Sequence, residues 1–180
     1  MEFPIVTGAD VTTLIDTAVA EVLAVAGGWL GWDGRPVAFD GNAWTPHKAL
    51  RRVTDHLIDH LAEIECRLAG LSPLPDAWHG RTVTTHADFA RFTESDLDEA
   101  TSRLTRLAAC YRARLRGLGP EALDGRPAPD TWTLREVVHH VAGVTYYARA
   151  MSGAWTAAPR AWRPGPPDGP CLGCGSVEPW

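Results

Sequence analysis

The chain has 180 residues, of which 45% are hydrophobic and 22% are charged, and its formal net charge is −5. These values are ordinary for a globular protein and suffice for one domain with its own core. The acidic balance argues against a nucleic-acid partner, for which a basic face is the usual footprint.

The N-terminal region lacks the basic start, apolar run and small-residue cleavage site of a secretion signal. Residues 11–30 are apolar but are interrupted by Asp16 and Glu21, which favours an amphipathic core helix over a membrane span. We therefore predict a cytoplasmic protein with no membrane partner, in which the four cysteines are thiols.

Two segments in the first half have the apolar spacing of helices. The first begins near Val11 and ends at Gly27-Gly28, and a loop rich in Gly and Trp follows. The second begins at Thr45-Pro46, with a hydroxyl N-cap and a proline in the first turn, and ends at Gly70. The next stretch is irregular, with an extended piece proposed at 81–85.

Two further helices are predicted in the second half. Thr93 and the acidic residues after it begin the third, which ends before Pro120. A run of turns leads to the fourth, capped by Thr131 or Thr133. The pattern predicts an all-α four-helix bundle.

We assign the bundle to residues 1–153 and an extended or mobile Pro/Gly-rich tail to residues 154–180. The first and third connections are long enough to cross an end of the bundle. In the tail, Cys171-Leu-Gly-Cys174 lacks the second ligand pair of a zinc site and the strand–helix setting of a redox motif, so a pair of thiols is favoured.

One short pattern occurs twice. The first copy starts with Trp44-Thr45 and continues as Leu50–Leu57, and the second starts with Trp132-Thr133 and continues as Leu134–Val141. Aligned on the two leucines, the copies share an Arg, a Val and a His at equal spacing. The shared histidines, His56 and His140, therefore take the same place on two helices.

On a helical wheel of about 100° per residue, His56, His60 and Glu63 lie along one edge of the apolar stripe of the second helix. His140 and Tyr147 take the corresponding edge of the fourth. Flanking positions like these face a neighbouring helix, so the three imidazoles are candidates for one site.

An i, i+4 pair such as His56 and His60 can bind one metal ion, and His140 would complete three neutral imidazoles with an open position. Such a set suits Zn, Ni or Fe. Glu63 or Tyr147 would act as proton donor or acceptor beside the metal. The competing interpretation is that histidines at a bundle edge only hydrogen-bond a neighbour. Of the other histidines, His139 is predicted to lie on the surface. His47, His79 and His86 are candidates to close over the site.

The segment Trp132–Gly143 looks like the fourth-helix signature of the DinB-like bundle family, and Leu50–Glu63 is similar to the family's other motif helix. The resemblance covers roughly residues 10–150 as an architecture. It implies a four-helix bundle related to thiol-dependent transferases and to mycothiol-dependent maleylpyruvate isomerases.

The resemblance also implies one metal-binding His on the second helix and two ligands, about a turn apart, on the fourth. His56 or His60 matches the first, and His140 matches one of the second pair. Four residues past His140 stands Val144, which cannot bind a metal. Either the ligands have been redistributed to His56, His60 and His140, or the metal site has been lost.

The resemblance therefore predicts a small-molecule enzyme, with divalent-metal-dependent thiol transfer or isomerisation, a low-molecular-weight thiol as cofactor and a homodimer as a possible assembly. Two alternatives stay open. A metal-free bundle could bind a small molecule for sequestration or resistance, using the loop Trp29–Trp44 with Trp155 and Trp162. A metal-free enzyme could use His56 and His140 as acid and base.

Overall fold

The computed structural model describes residues 10–39, 41–73 and 83–152 of the chain. Its main helices are α1 (Val11–Gly27), α2 (Pro46–Leu68), α3 (Glu94–Leu115), a short α4 (Pro120–Asp124), α5 (Leu134–Ala142) and α6 (Thr145–Arg149). The predicted helical bundle is confirmed. The tail at 154–180 lies outside the described residues, so its domain boundary stays a prediction.

The helices surround a single apolar core. α1 packs against α3, α5 and α6, and α2 packs against the same three helices from the other side. α1 and α2 therefore occupy opposite corners of the bundle, and so do α3 and the α5–α6 segment. This arrangement requires the first and third connections to cross an end of the bundle, as their lengths allow.

The predicted fourth helix is interrupted. α5 begins at Thr133, whose hydroxyl accepts a hydrogen bond from the Glu136 amide in a capping box, and it ends before Gly143. The Tyr146 and Tyr147 amides donate to carbonyls only three residues back. The backbone stays in the right-handed helical region at Gly143 (φ −70°, ψ 0°), so α6 continues close to the direction of α5.

The predicted Gly- and Trp-rich loop contains a small antiparallel hairpin. β1 (Val37–Phe39) pairs with β2 (Asn42–Trp44), with Val37 opposite Trp44. Gly41 has φ +70°, which a glycine adopts without strain. The Asp40-Gly41 dipeptide is a known two-residue hairpin signal, so the sequence carried this information.

A buried lysine holds the hairpin against α2. The Lys48 ammonium donates to Asn42 Oδ1 and to the Ala43 carbonyl, both at 3.2 Å, and to Thr84 Oγ1 at 2.9 Å. Burial and the nearby Arg51 lower the pKa of Lys48. The strand-like or extended piece predicted at 81–85 forms no strand at 83–85, the part that is described, although the backbone of Thr85 is extended.

Within the described ranges, Val11–Gly31 is the one stretch whose length and apolar composition would allow a membrane span. Six of the α1 residues in it are buried in the bundle. Both carboxylates of α1 pair with arginines of other helices, Asp16 with Arg112 and Glu21 with Arg149. In the described structure this helix is thus packed into the bundle through one face and two ion pairs.

Candidate metal centre

The two copies of the repeated pattern lie on α2 and α5 and use their shared positions alike. Val53 and Val137 are fully buried in the core. The shared arginine of each copy forms an ion pair with an aspartate: Arg51 with the buried Asp88, and Arg135 with the half-exposed Asp124. The shared histidines, His56 and His140, lie where α2 packs against α5.

The three predicted histidines converge. The ring centroids of His56 and His60 are 4.6 Å apart, those of His56 and His140 are 4.8 Å apart, and those of His60 and His140 are 5.0 Å apart. One nitrogen of each ring lies within 4.8 Å of one nitrogen of each of the others. Among the described residues, these three histidines form the one cluster of His, Cys, Asp or Glu side chains that could hold a metal ion.

Glu63 fixes the orientation of His60. Its Oε2 lies 2.7 Å from His60 Nδ1, and its Oε1 accepts a hydrogen bond from Arg67 at 3.1 Å. Burial alone would raise the pKa of Glu63, but the hydrogen bonds from His60 and Arg67 outweigh burial and lower it. The ionised carboxylate can only accept, so His60 carries its proton on Nδ1, and Nε2 is the nitrogen left to act as a ligand beside His56 and His140.

Arg67 connects this pair to the start of α5. Its second guanidinium nitrogen donates to the Trp132 carbonyl at 2.6 Å. The Trp132 ring in turn packs against the His140 ring, with centroids 4.7 Å apart. The contacts of Glu63, Arg67 and Trp132 therefore hold His60 and His140, from two helices, in one arrangement.

His140 is held neutral. Burial, and then the nearby His60, lower the pKa of His140 to about 4. Its Nε2 is buried and has no hydrogen-bond partner. A buried nitrogen without a partner costs free energy unless something binds it.

These features fit a divalent metal. Three imidazoles within reach of one ion, one of them with an unpartnered buried nitrogen and another oriented by a carboxylate, match the donor set and outer shell of known histidine sites. Val144, at the position where the resemblance expected a ligand, is fully buried in the core. Of the two alternatives, this geometry favours redistribution of the ligands over loss of the site.

Tyr147 forms a second wall of the site. Its ring centroid is 5.8 Å from that of His56 and 5.8 Å from that of Trp44, on which it stacks. Its hydroxyl accepts a hydrogen bond of 3.0 Å from Arg52. Tyr147 thus lies beside the histidines, on the side that the helical wheel predicted.

The other predicted histidines lie elsewhere or are not described. His47 is 3.5 Å from Asp96 and packs on Phe92, at the start of α2. His86 is exposed in a 3₁₀ turn, and His139 is half-buried outside the triad. His79, Trp155, Trp162 and the Cys171/Cys174 pair lie outside the described residues.

Three residues that support the site were not predicted from the sequence: Arg52, Arg67 and Trp132. The helix period contained a signal for two of them. Arg52 lies four residues before His56 and Arg67 lies four after Glu63, so both fall on the histidine edge of α2. Nothing in the pattern indicated that the Trp132 ring would turn toward His140.

Residues 103–173 match a family model described as the DinB superfamily. The matched range includes His140 and Tyr147, whereas His56 and His60 precede it. No curated protein and no solved structure matches the chain significantly.

Proposed function

Because this chain carries a DinB superfamily domain over residues 103–173, as the resemblance implied, we propose that it is a divalent-metal-dependent enzyme acting on a small molecule. His56, His60 and His140 would be the protein ligands. The observation that carries the proposal is the convergence of these imidazoles from two helices, with ligand atoms within 4.8 Å of one another. Three histidine ligands leave a coordination position for substrate, as in catalytic sites.

The surrounding residues have separate tasks in this proposal. When bound, Zn, Ni or Fe supplies Lewis-acid chemistry, which polarises a substrate oxygen or favours the ionised form of a thiol or water. Glu63 acts as a positioning residue, because both of its oxygens are already engaged by His60 and Arg67. This role replaces the proton transfer that the sequence suggested for it.

Tyr147 is the proposed proton donor. Its hydroxyl accepts from Arg52, which leaves its own proton available for a substrate atom. The ring lies next to His56, so a donated proton would go to a group held beside the histidines. The support for this role is geometric, because a general acid must be within hydrogen-bond reach of the atom it protonates.

Thiol-dependent transfer or isomerisation is the proposed reaction class, with a low-molecular-weight thiol as co-substrate. The support is the family resemblance of Trp132–Gly143. The test incubates zinc-loaded full-length protein with 1-chloro-2,4-dinitrobenzene and, in turn, cysteine, glutathione and mycothiol. We expect conjugate formation that a chelator abolishes and zinc restores. Equal rates with and without metal, for every thiol, would reject a metal-dependent transfer.

A metal-free small-molecule binding protein is the second candidate. The aromatic wall of Trp44, Tyr147 and Trp132 around the histidines favours it. In that case tryptophan fluorescence would respond to ligands equally with and without a chelator. Acid–base catalysis by His56 and His140 without metal is less favoured, because a pKa of about 4 leaves His140 without a proton to donate near neutral pH. The cytoplasmic location and the homodimer stay predictions from the sequence.

A further inference from the structure

Arg52 is a buried cation that forms no ion pair within the described ranges. The residue is only 5% exposed, and a guanidinium keeps its charge at every accessible pH. Its Nη2 donates to the Tyr147 hydroxyl at 3.0 Å, and its guanidinium carbon lies 4.8 Å from the centre of the Tyr147 ring. Its Nε and Nη1 are buried without a hydrogen-bond partner.

The neighbouring arginines of α2 are paired. Arg51 forms a 2.6 Å ion pair with Asp88, and Arg67 is bonded to Glu63 and to a main-chain carbonyl. Arg52 is more deeply buried than Arg51 and yet has only a neutral hydroxyl and an aromatic face. A buried charge normally requires a charged partner, because removing the charge from water costs on the order of several kcal/mol. An anion from outside the described residues would supply the partner that Arg52 lacks among them.

The position of Arg52 places that anion next to the metal centre. Arg52 precedes His56 by one helical turn, a rise of about 6 Å along α2. Tyr147 touches both, since it binds Arg52 through its hydroxyl and its ring lies 5.8 Å from that of His56. A small molecule bound at the three histidines would therefore lie about one helical turn from Arg52.

We propose that Arg52 is the subsite for a substrate carboxylate, so that the substrate is a small carboxylic acid whose reacting group lies within a few bonds of the carboxylate. The inference rests on the proposed function, because it names the substrate class of the same site. The N–H bonds of Nε and Nη1 diverge, so a carboxylate would bind one of these unpartnered donors together with the second hydrogen of Nη2, and such charge-assisted hydrogen bonds are the strong ones. A phosphate, with more charge and more acceptors, would require further cations.

The test measures binding of glycolate and of its neutral amide, glycolamide, by calorimetry on zinc-loaded full-length protein at constant ionic strength. We expect wild type to prefer glycolate by about tenfold or more, the value of one charge-assisted hydrogen bond. Arg52→Gln should remove that preference and leave the zinc stoichiometry unchanged. Inorganic phosphate should bind more weakly than glycolate.

Two further variants sharpen the result. Arg116→Gln removes an exposed arginine at the end of α3 and should bind glycolate as wild type does, because it controls for net charge. Arg52→Lys keeps the charge but loses the planar donor set, and should retain only part of the preference. Because zinc itself attracts the glycolate carboxylate, the preference of wild type is also measured in metal-free protein, which keeps the proposal testable even if a substitution at Arg52 prevents folding.

Wild type that binds glycolate and glycolamide equally would overturn the proposal, and so would an Arg52→Gln protein that keeps the preference. A chain that takes up no zinc would instead reject the metal-dependent function. Repeating the glycolate measurement in metal-free protein then tests the subsite alone: an Arg52-dependent preference there supports it, and no preference overturns it.

Discussion

His60 and Glu63, one turn apart on α2, are joined through His60 Nδ1 and Glu63 Oε2 at 2.7 Å. The carboxylate holds the imidazole in the tautomer and orientation that direct its other nitrogen toward His56 and His140. Glu63 is itself held by Arg67, which also binds the start of α5. A ligand of one helix is thus fixed relative to a ligand of another by groups that would not contact a metal.

This relationship predicts the effect of changing Glu63 on metal affinity. Outer-shell partners of histidine ligands typically contribute about 10–100-fold to metal binding. Glu63→Gln retains an acceptor but loses the charge, so we expect zinc affinity to fall by about tenfold, and Glu63→Ala should approach about 100-fold. Competition with a chromophoric chelator measures both values.

Glu65→Gln is the matched control. Glu65 lies on the same helix and also pairs with an arginine, Arg114, but on an exposed surface. We expect its zinc affinity to equal that of wild type. If Glu63→Ala and Glu65→Gln bind zinc equally well, Glu63 has no positioning role.

The lowered pKa of His140 predicts how the stability of the metal-free protein depends on pH. The folded pKa is about 4, below the ordinary 6.5, so between these values the unfolded chain binds the proton and the folded chain does not. Stability therefore falls as pH decreases from about 6.5 to about 4. His140 alone should lower the free energy of unfolding by on the order of 3 kcal/mol over this pH range, at 1.36 kcal/mol per pKa unit. Urea unfolding at several pH values with a chelator present measures it.

His140→Leu isolates this contribution. Carboxylates also titrate in the acidic range, but they are common to both proteins and cancel in the difference. We expect the variant to lose less stability than wild type between pH 7 and pH 4.5. Parallel stability profiles of the two proteins would contradict a depressed pKa at His140.

Tyr111 predicts a structural effect that is separate from metal binding. Its hydroxyl, on α3, donates to the Leu57 carbonyl of α2 at 2.7 Å, and the residue is 1% exposed. Tyr111→Phe removes this hydrogen bond and should lower the free energy of unfolding by about 1 kcal/mol. Zinc affinity should not change, because the Tyr111 hydrogen bond is to the main chain of α2 and not to a histidine. A tenfold loss of zinc affinity would show that Tyr111 also supports the site.

The convergence of the three histidines could be predicted from the sequence because α2 is an uninterrupted helix from Pro46 to Leu68 and α5 continues past His140. Helical periodicity then determines which side chains share an edge. His56, His60 and His140 could be placed on facing edges from spacing alone. The interruption between α5 and α6 does not change the predicted position of Tyr147, since the backbone at Gly143 remains near helical values and Tyr147 stays beside His56.

The contacts that orient the site could not be predicted in the same way. Whether Glu63 accepts from His60, or whether the Trp132 ring packs on His140, depends on rotamers and on how closely α2 and α5 approach. Arg52 lies within the repeated segment Leu50–Leu57, but helical periodicity does not show whether a cation has a charged partner. That fact requires the positions of every carboxylate around it.

Metal content of the purified full-length chain tests the central claim most directly. Zinc is added to metal-free wild type and to His56→Ala, His60→Ala and His140→Ala, with His139→Ala as the control from the same helix. We expect wild type and the His139→Ala control each to bind one equivalent of zinc. In each triad variant affinity should fall by more than the roughly 100-fold that loss of an outer-shell partner costs. Wild type that binds no zinc, nickel or iron, or a His139 variant that is impaired as much as the His140 variant, would contradict the central claim.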